Sequence, residues 1–357
     1  MSEITRIATK RISLPMKGSL SWGKSSKLAR LEHALVKVEA GSVFGIAEAP
    51  ARPSIYGETP ESIEVIIKDH LAPKLLGEDA FNETALWEAF HSVANNQTAR
   101  GALDIALHDL RAKLNGETLF DTAGPHQNLR ASFILGISDF DTMLAEARTI
   151  FESGVSVFKI KVGRNAAHDE AVIKALQSEF SGEDVILYAD ANEGLDSKTA
   201  AKDLERLAKL GIAYVEEPLP VRQLKARARL KSENVLPIIA DDSCFSLLDL
   251  ERELDFDTFD ILNIKTARTG YSESQKMLGL ALKANKGVML GSQASAGLGT
   301  LHTALFATQA GIDYPSELSF PLKLHEDVFT SALSFHKGLL AVSNLTELEL
   351  KSQYLTF

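Results

Sequence analysis

The chain has 357 residues, 45% of them hydrophobic and 24% charged, which is ordinary for a soluble globular protein and enough for one large domain with a smaller one. A net charge of −10 argues against a nucleic-acid partner, since Lys225–Lys231 reads as a solvated helix face rather than a basic patch. The single cysteine, Cys244, excludes an internal disulfide and suits a reducing compartment. No run reaches the length of a membrane span. Met1–Ser13 alternates polar and apolar residues without the apolar core of a signal peptide, so no membrane partner and a cytoplasmic location are expected.

Residues 1–50 read as three strands: Ile4–Leu14, Leu31–Val38 and Ser42–Glu48, the last two joined around Gly41. Pro15–Ser26, rich in Gly, Ser and Lys with Trp22 at its centre, is predicted as a loop. Ala49–Pro60, carrying Arg52, Tyr56 and Gly57, is a second. Thr59 followed by Pro60 signals a helix start, and the chain is helical to Leu114, with Leu103, Ala106, Leu107, Leu110 and Leu114 on one stripe and Gly116 as the stop. From about Leu129 strands and helices alternate. Strands are expected near 130–137, 156–162, 185–189, 213–217, 236–240, 259–265, 288–292 and 315–319, with amphipathic helices such as Asp169–Phe180 and Ser197–Leu210 between them. Residues beyond Phe320 are expected to pack back on the N-terminal part. The predicted division is an α+β cap over 1–127, completed by 320–357, and a barrel over 128–319.

Chemistry gathers at the ends of these strands. In Val157–Val162 two lysines, Lys159 and Lys161, interrupt a buried pattern and, two residues apart, point to the same side. An edge strand with a solvated lysine face would also fit. Downstream, successive strands end in Asp190, Glu216, Asp241 and Lys265, at steps of 26, 25 and 24 residues. That step is one strand plus one helix, the repeat of a (β/α)8 barrel, whose C-terminal strand ends share one mouth. Three carboxylates without His or Cys suit a hard, oxygen-seeking cation such as Mg²⁺, one per site; capping helices or pairing with the lysines is the plainer alternative. The second and sixth strands face each other, so their lysines flank a substrate from opposite sides. A lysine acting as base must be neutral part of the time, which burial, the metal and neighbouring ammonium groups favour.

Lys159-Ile160-Lys161, Asp190-Ala191-Asn192, Glu216-Glu217-Pro218, Ala240-Asp241-Asp242-Ser243 and Asn263-Ile264-Lys265 together resemble the enolase superfamily, most closely its muconate-lactonising subgroup. The resemblance runs through nearly the whole chain, Arg100–Asp109 included. It implies a modified (β/α)8 TIM barrel with an α+β N-terminal capping domain, and Mg²⁺ on Asp190, Glu216 and Asp241. It also implies Lys161 and Lys265 as the acid/base pair, with Lys159 on the substrate carboxylate. Asp242 departs from the subgroup, which has Glu after the third ligand. The implied reaction removes the proton α to a carboxylate of a small molecule to give an enediolate. Reprotonation would make this a racemase or epimerase of an amino acid derivative or dipeptide. Muconate-type cycloisomerisation, and dehydration of a hydroxylated proline-like substrate, are the alternatives.

Specificity is expected from Trp22, Arg52 and Tyr56 of the cap, from Ser292 and Gln293 after the seventh strand, and from Glu317 and Ser319 after the eighth. Dipeptide epimerases of the subgroup resemble Asp-x-Asp at that last place; here only Glu317 is acidic. Glu317 is read as the partner of a substrate ammonium, with a salt bridge to Arg52 as the alternative. Two rivals stay open: a small-acid sensor that binds without reacting, and a phosphate enzyme using Ala296–Thr300 as an anion loop. A homo-oligomer is expected.

Overall fold

The computed structural model describes residues 2–22 and 26–357. The N-terminal part is a three-stranded antiparallel sheet covered by helices. Strands β1 (Arg6–Trp22) and β2 (Ser26–Ala40) form a long hairpin, and β3 (Val43–Pro50) returns along β2. The loop predicted over Pro15–Ser26 is therefore mostly strand. Pairing lapses between Pro15 and Leu20 and then resumes at Leu20 opposite Leu28, because Met16 and Leu20 both have apolar cover to reach. The side chain of Trp22 falls outside the described residues. Thr59 caps the helix Pro60–Val65 in a reciprocal box with Ser62. The helix Gln97–Leu114 lays Leu103, Ala106, Leu107 and Leu110 against the sheet. It comes so close to β3 that a side chain at Gly45 would strike the Ala106 and Leu110 backbone. Asp109 on this helix accepts the Ile46 N–H across the contact.

Strand β4 (Asn128–Arg130) leads into a parallel sheet of seven strands in chain order: β5 (Ser132–Leu135), β6 (Val157–Lys161), β7 (Ile186–Asp190), β8 (Val215–Glu216), β9 (Ile238–Ala240), β10 (Ile261–Ile264) and β11 (Gly287–Leu290). The predicted eighth strand at 315–319 is not a regular strand. Only Ser316 bridges in parallel to Ala131, but the segment still spans the gap. Ser316 N–H donates to Arg130 and Ser132 N–H donates back to Ser316, while Glu317 N–H donates to Leu290 of β11. Pro315 supplies no N–H, and Leu318 N–H folds back onto Ser316, so the ladder has no room to extend.

Side chains alternate along each strand, so the inward positions form layers. Val157, Tyr188, Tyr214, Ile239, Ile261 and Met289 pack together as a buried apolar floor. Two residues further along the same strands come Lys159, Asp190, Glu216, Asp241, Asn263 and Gly291. The polar layer is therefore carried on a rigid apolar one. Strand β12 (Leu339–Ala341) pairs with β4, and the chain beyond it reaches the cap. Lys10 Nζ donates to the carbonyls of Gln353 (2.6 Å) and Thr356 (2.8 Å). Among the described residues no helix is long and apolar enough to cross a membrane.

Candidate active site

The inward polar layer opens into a cavity of about 530 Å³ between barrel and cap. Its base is a lattice of ion pairs. Lys159 Nζ donates to Glu216 Oε1 and Glu317 Oε1, both at 2.6 Å, and lies 3.2 Å from Asp190 Oδ2. Lys161 Nζ donates to Asp190 Oδ2 (2.5 Å) and Asn192 Oδ1 (2.9 Å). Across the mouth, Lys265 Nζ donates to Asp241 Oδ2 at 2.5 Å. A side chain at Gly291 would run into Asn263 and Lys265, so glycine there gives Lys265 its place.

Burial and charge act in opposition here. Burial would raise the Asp190 carboxyl, but Lys159 and Lys161 hold it down at about 2. Asp241 is likewise held below the usual carboxylate range, burial being overcome by Lys265 and Arg268. Glu216 goes the other way. Burial, then Asp190, Asp241 and Glu317, outweigh Lys159 and push it well up. Asp242 is pushed up to about 6 by burial and by Asp241. Burial alone would lower Lys265, but Asp241 leads the groups that raise it above the ordinary lysine value. At Lys265 the contact with Asp241 thus outweighs burial.

These shifts bear on a metal. Among the described residues no three carboxylate, imidazole or thiol groups gather round one point closely enough to hold an ion, and the lysine ammonium groups stand between the carboxylates. The donors nevertheless fit a hard cation. Asp190, Glu216 and Asp241 are buried, end adjoining strands and offer only oxygen, and the layer carries enough excess acid to push Glu216 and Asp242 up.

Of the residues expected from sequence, Lys159, Lys161, Asp190, Asp241, Lys265, Arg52, Tyr56, Ser292, Gln293 and Glu317 all line the cavity. Glu216 lies beneath it, fully buried under Lys159. Ser319 is turned away; its hydroxyl donates to the Ser132 carbonyl at 2.7 Å. The alternative partner expected for Glu317, Arg52, is wrong: Glu317 pairs with Lys159 and accepts the Ser292 N–H at 2.7 Å. The anion loop at Ala296–Thr300 is filled by the chain's own carboxylates. Glu48 accepts the N–H groups of Ala296 (2.7 Å) and Gly299 (2.8 Å), and Asp327 accepts that of Gly297 (2.8 Å). A phosphate there has no free donors of that set.

Two buried arginines of this site escaped the sequence reading. Arg268, 1% exposed, donates to Asp241 Oδ1 (3.3 Å) and to the Asp241 and Cys244 carbonyls (both 3.0 Å), its guanidinium 4.5 Å from the Phe245 ring centre. Arg227 lies in the stretch read as a solvated face, yet it is buried between Glu217 (2.9 Å) and Glu253 (2.6 Å). Glu217 in turn accepts the N–H groups of Asp241 (3.1 Å) and Ser243 (2.7 Å), fixing the loop that presents Asp241. Lysines flanking Arg227 masked it, since one inward residue in a basic run breaks no pattern.

Residues 5–124 match the family model described as mandelate racemase / muconate lactonizing enzyme, N-terminal domain, and residues 142–346 match enolase C-terminal domain-like. The chain is 31% identical over 315 residues to an L-amino acid-D/L-Glu epimerase of Francisella philomiragia, covering 86% of this chain and 87% of that protein. It is 29% identical to an L-Ala-D/L-Glu epimerase of Bacillus subtilis, covering 95% and 94%. A solved muconate lactonizing enzyme from Mucobacterium Smegmatis, complexed with muconolactone, superposes with a TM-score of 0.92 at 31% identity, covering 99% of this chain and 98% of that one.

Proposed function

Since the chain belongs to the mandelate racemase / muconate lactonizing enzyme family of the enolase superfamily, we propose that it is an isomerase that moves the proton α to a carboxylate in an amino acid derivative or dipeptide, a racemase or epimerase. The carrying observation is the opposition of Lys161 and Lys265. Lys161 ends the second strand of the barrel and Lys265 directly follows the sixth, each at 2.5 Å from a different carboxylate of one inward layer. A substrate carbon between them has a proton acceptor on one side and a donor on the other. One lysine, neutral, takes the α proton while the other, as ammonium, delivers a proton to the opposite face. Inversion leaves their protonation states exchanged, and solvent restores them.

Asp190, Glu216 and Asp241 would hold one Mg²⁺, which would supply positive charge for the carboxylate oxygens where negative charge builds as the proton leaves. Lys159 would hold the same carboxylate from the barrel side, with Glu216 and Glu317 keeping its ammonium in place. Arg268, Glu217 and Arg227 would act on the position of Asp241 from behind the cavity wall.

A second reading, muconate-type cycloisomerisation, draws on Glu317 and Ser319. Glu317 is already committed to Lys159, and Ser319 to a backbone carbonyl, which leaves little to meet a substrate ammonium. Proton NMR in D₂O with Mg²⁺ separates the two. The proposed reaction washes deuterium into the α position of a dipeptide or N-acyl amino acid, and the second epimer appears. No exchange across a dipeptide and N-acyl panel, together with conversion of cis,cis-muconate to a lactone, would put the second reading in its place.

A further inference from the structure

We propose that Arg52 is the receptor for a second anionic group of the substrate, and that His33 and Glu48 are its positioning residues. This rests on the reading of the cavity as the substrate site.

Arg52 follows β3, lines the cavity and is 3% exposed. Among the described cations lining the cavity, Lys159, Lys161 and Lys265 are each ion-paired with carboxylates of the barrel. Among the described residues Arg52 has no such partner. Its Nη1 donates to His33 Nε2 (3.0 Å) and to the Ala51 carbonyl (2.5 Å), and its Nη2 donates to the Ala294 carbonyl (2.7 Å). These acceptors are neutral, and Glu48, the carboxylate that supports the charge, acts from beyond His33 without touching the guanidinium. Burial pulls it down to about 10, still cationic at neutral pH. A buried cation with no anion in contact is costly, and one that docks against it relieves the cost. Of its five N–H bonds, one on Nε and one on Nη2 have no partner among the described residues. Those neighbouring nitrogens are the edge of the fork that grips a carboxylate side-on.

The relay behind Arg52 explains how it is aimed. His33 on β2 and Glu48 on β3 are both buried, with His33 Nδ1 at 2.6 Å from Glu48 Oε1. The Glu48 carboxylate, which burial alone would raise, is held below its usual range, with His33 first among the groups that lower it. It also accepts two backbone N–H groups at the start of the helix Gly297–Ala307, so it is an acceptor toward His33. The Nδ1 of His33 therefore carries the proton, and its Nε2 lone pair faces Arg52. A guanidinium has only donors, and this tautomer is the one that can receive it. Glu48 thus ties three things together: the tautomer of His33, the direction of Arg52, and the loop carrying Ser292 and Gln293 that leads into that helix.

The chemistry recognised is a carboxylate other than the one beside the reacting carbon, carried on an acidic side chain or an acidic N-acyl group. Matched pairs distinguish these sources: L-Ala-L-Glu against L-Ala-L-Gln, and N-succinyl against N-acetyl amino acids, each with Mg²⁺. In at least one pair the acidic member has the lower KM. Arg52→Met raises that KM roughly 10- to 100-fold, the worth of a charged hydrogen bond, and moves the neutral member's KM by no more than about threefold. His33→Phe shifts KM in the same direction with the loss falling on KM rather than kcat, and His33→Gln, which returns an acceptor to the Nε2 position, recovers most of it. Equal KM values within both pairs in the wild type, or a preference that survives Arg52→Met, overturns the receptor. An unchanged KM in a folded His33→Phe overturns the positioning role. Calorimetric binding of glutarate and of its monoamide gives a readout independent of turnover. If no panel member exchanges its α proton but Arg52→Met still abolishes a preference for glutarate, the isomerase reading fails and the receptor stands.

Discussion

Lys161 and Lys265 face the same space from staves of the barrel that do not touch, and each is pinned by its own carboxylate. Replacing either by Ala is expected to lower kcat by roughly 10²–10⁴, the usual share of a general acid or base. Because each serves one face, one variant should still exchange the α proton of one epimer with D₂O, and the other variant that of the other. Equal loss of exchange from both epimers in both variants would argue against opposed faces. The acids carry a separate expectation. Asp190→Asn, Glu216→Gln and Asp241→Asn should each lower turnover by at least about 10², since an ion's charge is needed where the oxygens become negative. Circular dichroism should show the fold retained, and full activity of the wild type in excess chelator would end the metal proposal. At this scale the sequence was legible wherever period two governs. Lys159 and Lys161 had to share a side, and acids ending successive strands had to share a mouth. Arg268, Arg227 and His33 were not legible. Their partners lie 27, 10 and 26, and 15 and 19 residues away on other elements. Nothing local separates a buried arginine on a helix from a solvated one.

The helix that follows Lys265 shows what whole elements contribute. Thr266–Lys283 is broken at Gly270, whose φ of 62° lies in the left-handed region. The break is held from the cap. Asp104, on the helix Gln97–Leu114, accepts the N–H groups of Tyr271 (2.7 Å) and Ser272 (2.9 Å) and the Ser272 hydroxyl (2.6 Å). A methyl group at Gly270 would meet the Asp104 carboxylate as well as an unfavourable φ. Gly270→Ala is therefore expected to destabilise the protein by about 1–3 kcal/mol in urea unfolding. It should also lower kcat, because the displaced turn begins five residues after Lys265. A variant as stable and as active as the wild type would show that the break does not position the lysine. Element boundaries were readable where caps announce them, as at Thr59 and Pro60. They failed at Pro15–Ser26, where polar composition suggested a loop but the hairpin partner supplied the pairing, and at the eighth stave, where Pro315 and a tight turn shorten the ladder. Ala296–Thr300 was readable as an anion loop, but the anion it serves at Ala296 is Glu48, 248 residues away in the chain.

At the scale of the molecule, cap and barrel meet through buried polar contacts: Glu48 to Ala296 and Gly299, Arg52 to Ala294, and Asp104 to Tyr271 and Ser272. Such groups are costly to expose singly, so the two parts are expected to unfold together. Two buried histidines stand near this seam, His33 in the cap and His302 in the helix Gly297–Ala307. Burial is the largest cause that lowers each, taking His302 down to about 4 against an ordinary 6.5. A folded value below the unfolded one means that the stabilisation is complete above pH 6.5. It is lost as pH falls through the folded value, because the unfolded chain takes up the proton first. For His302 the difference corresponds to roughly 3 kcal/mol between about pH 6.5 and 4. Groups of the opposite sign titrate nearby. Burial, chiefly, pushes Asp242 and Asp327 up to about 6 and Glu217 up to about 8, and these lose stabilisation as pH rises. The wild-type slope alone is thus a mixture, and the difference between variants isolates the histidine. Urea unfolding of wild type and His302→Leu, followed from pH 7 to pH 4.5, should show the wild type losing more stability than the variant over that range. Parallel losses would mean that His302 is protonated in the folded protein, and that the seam accommodates its charge.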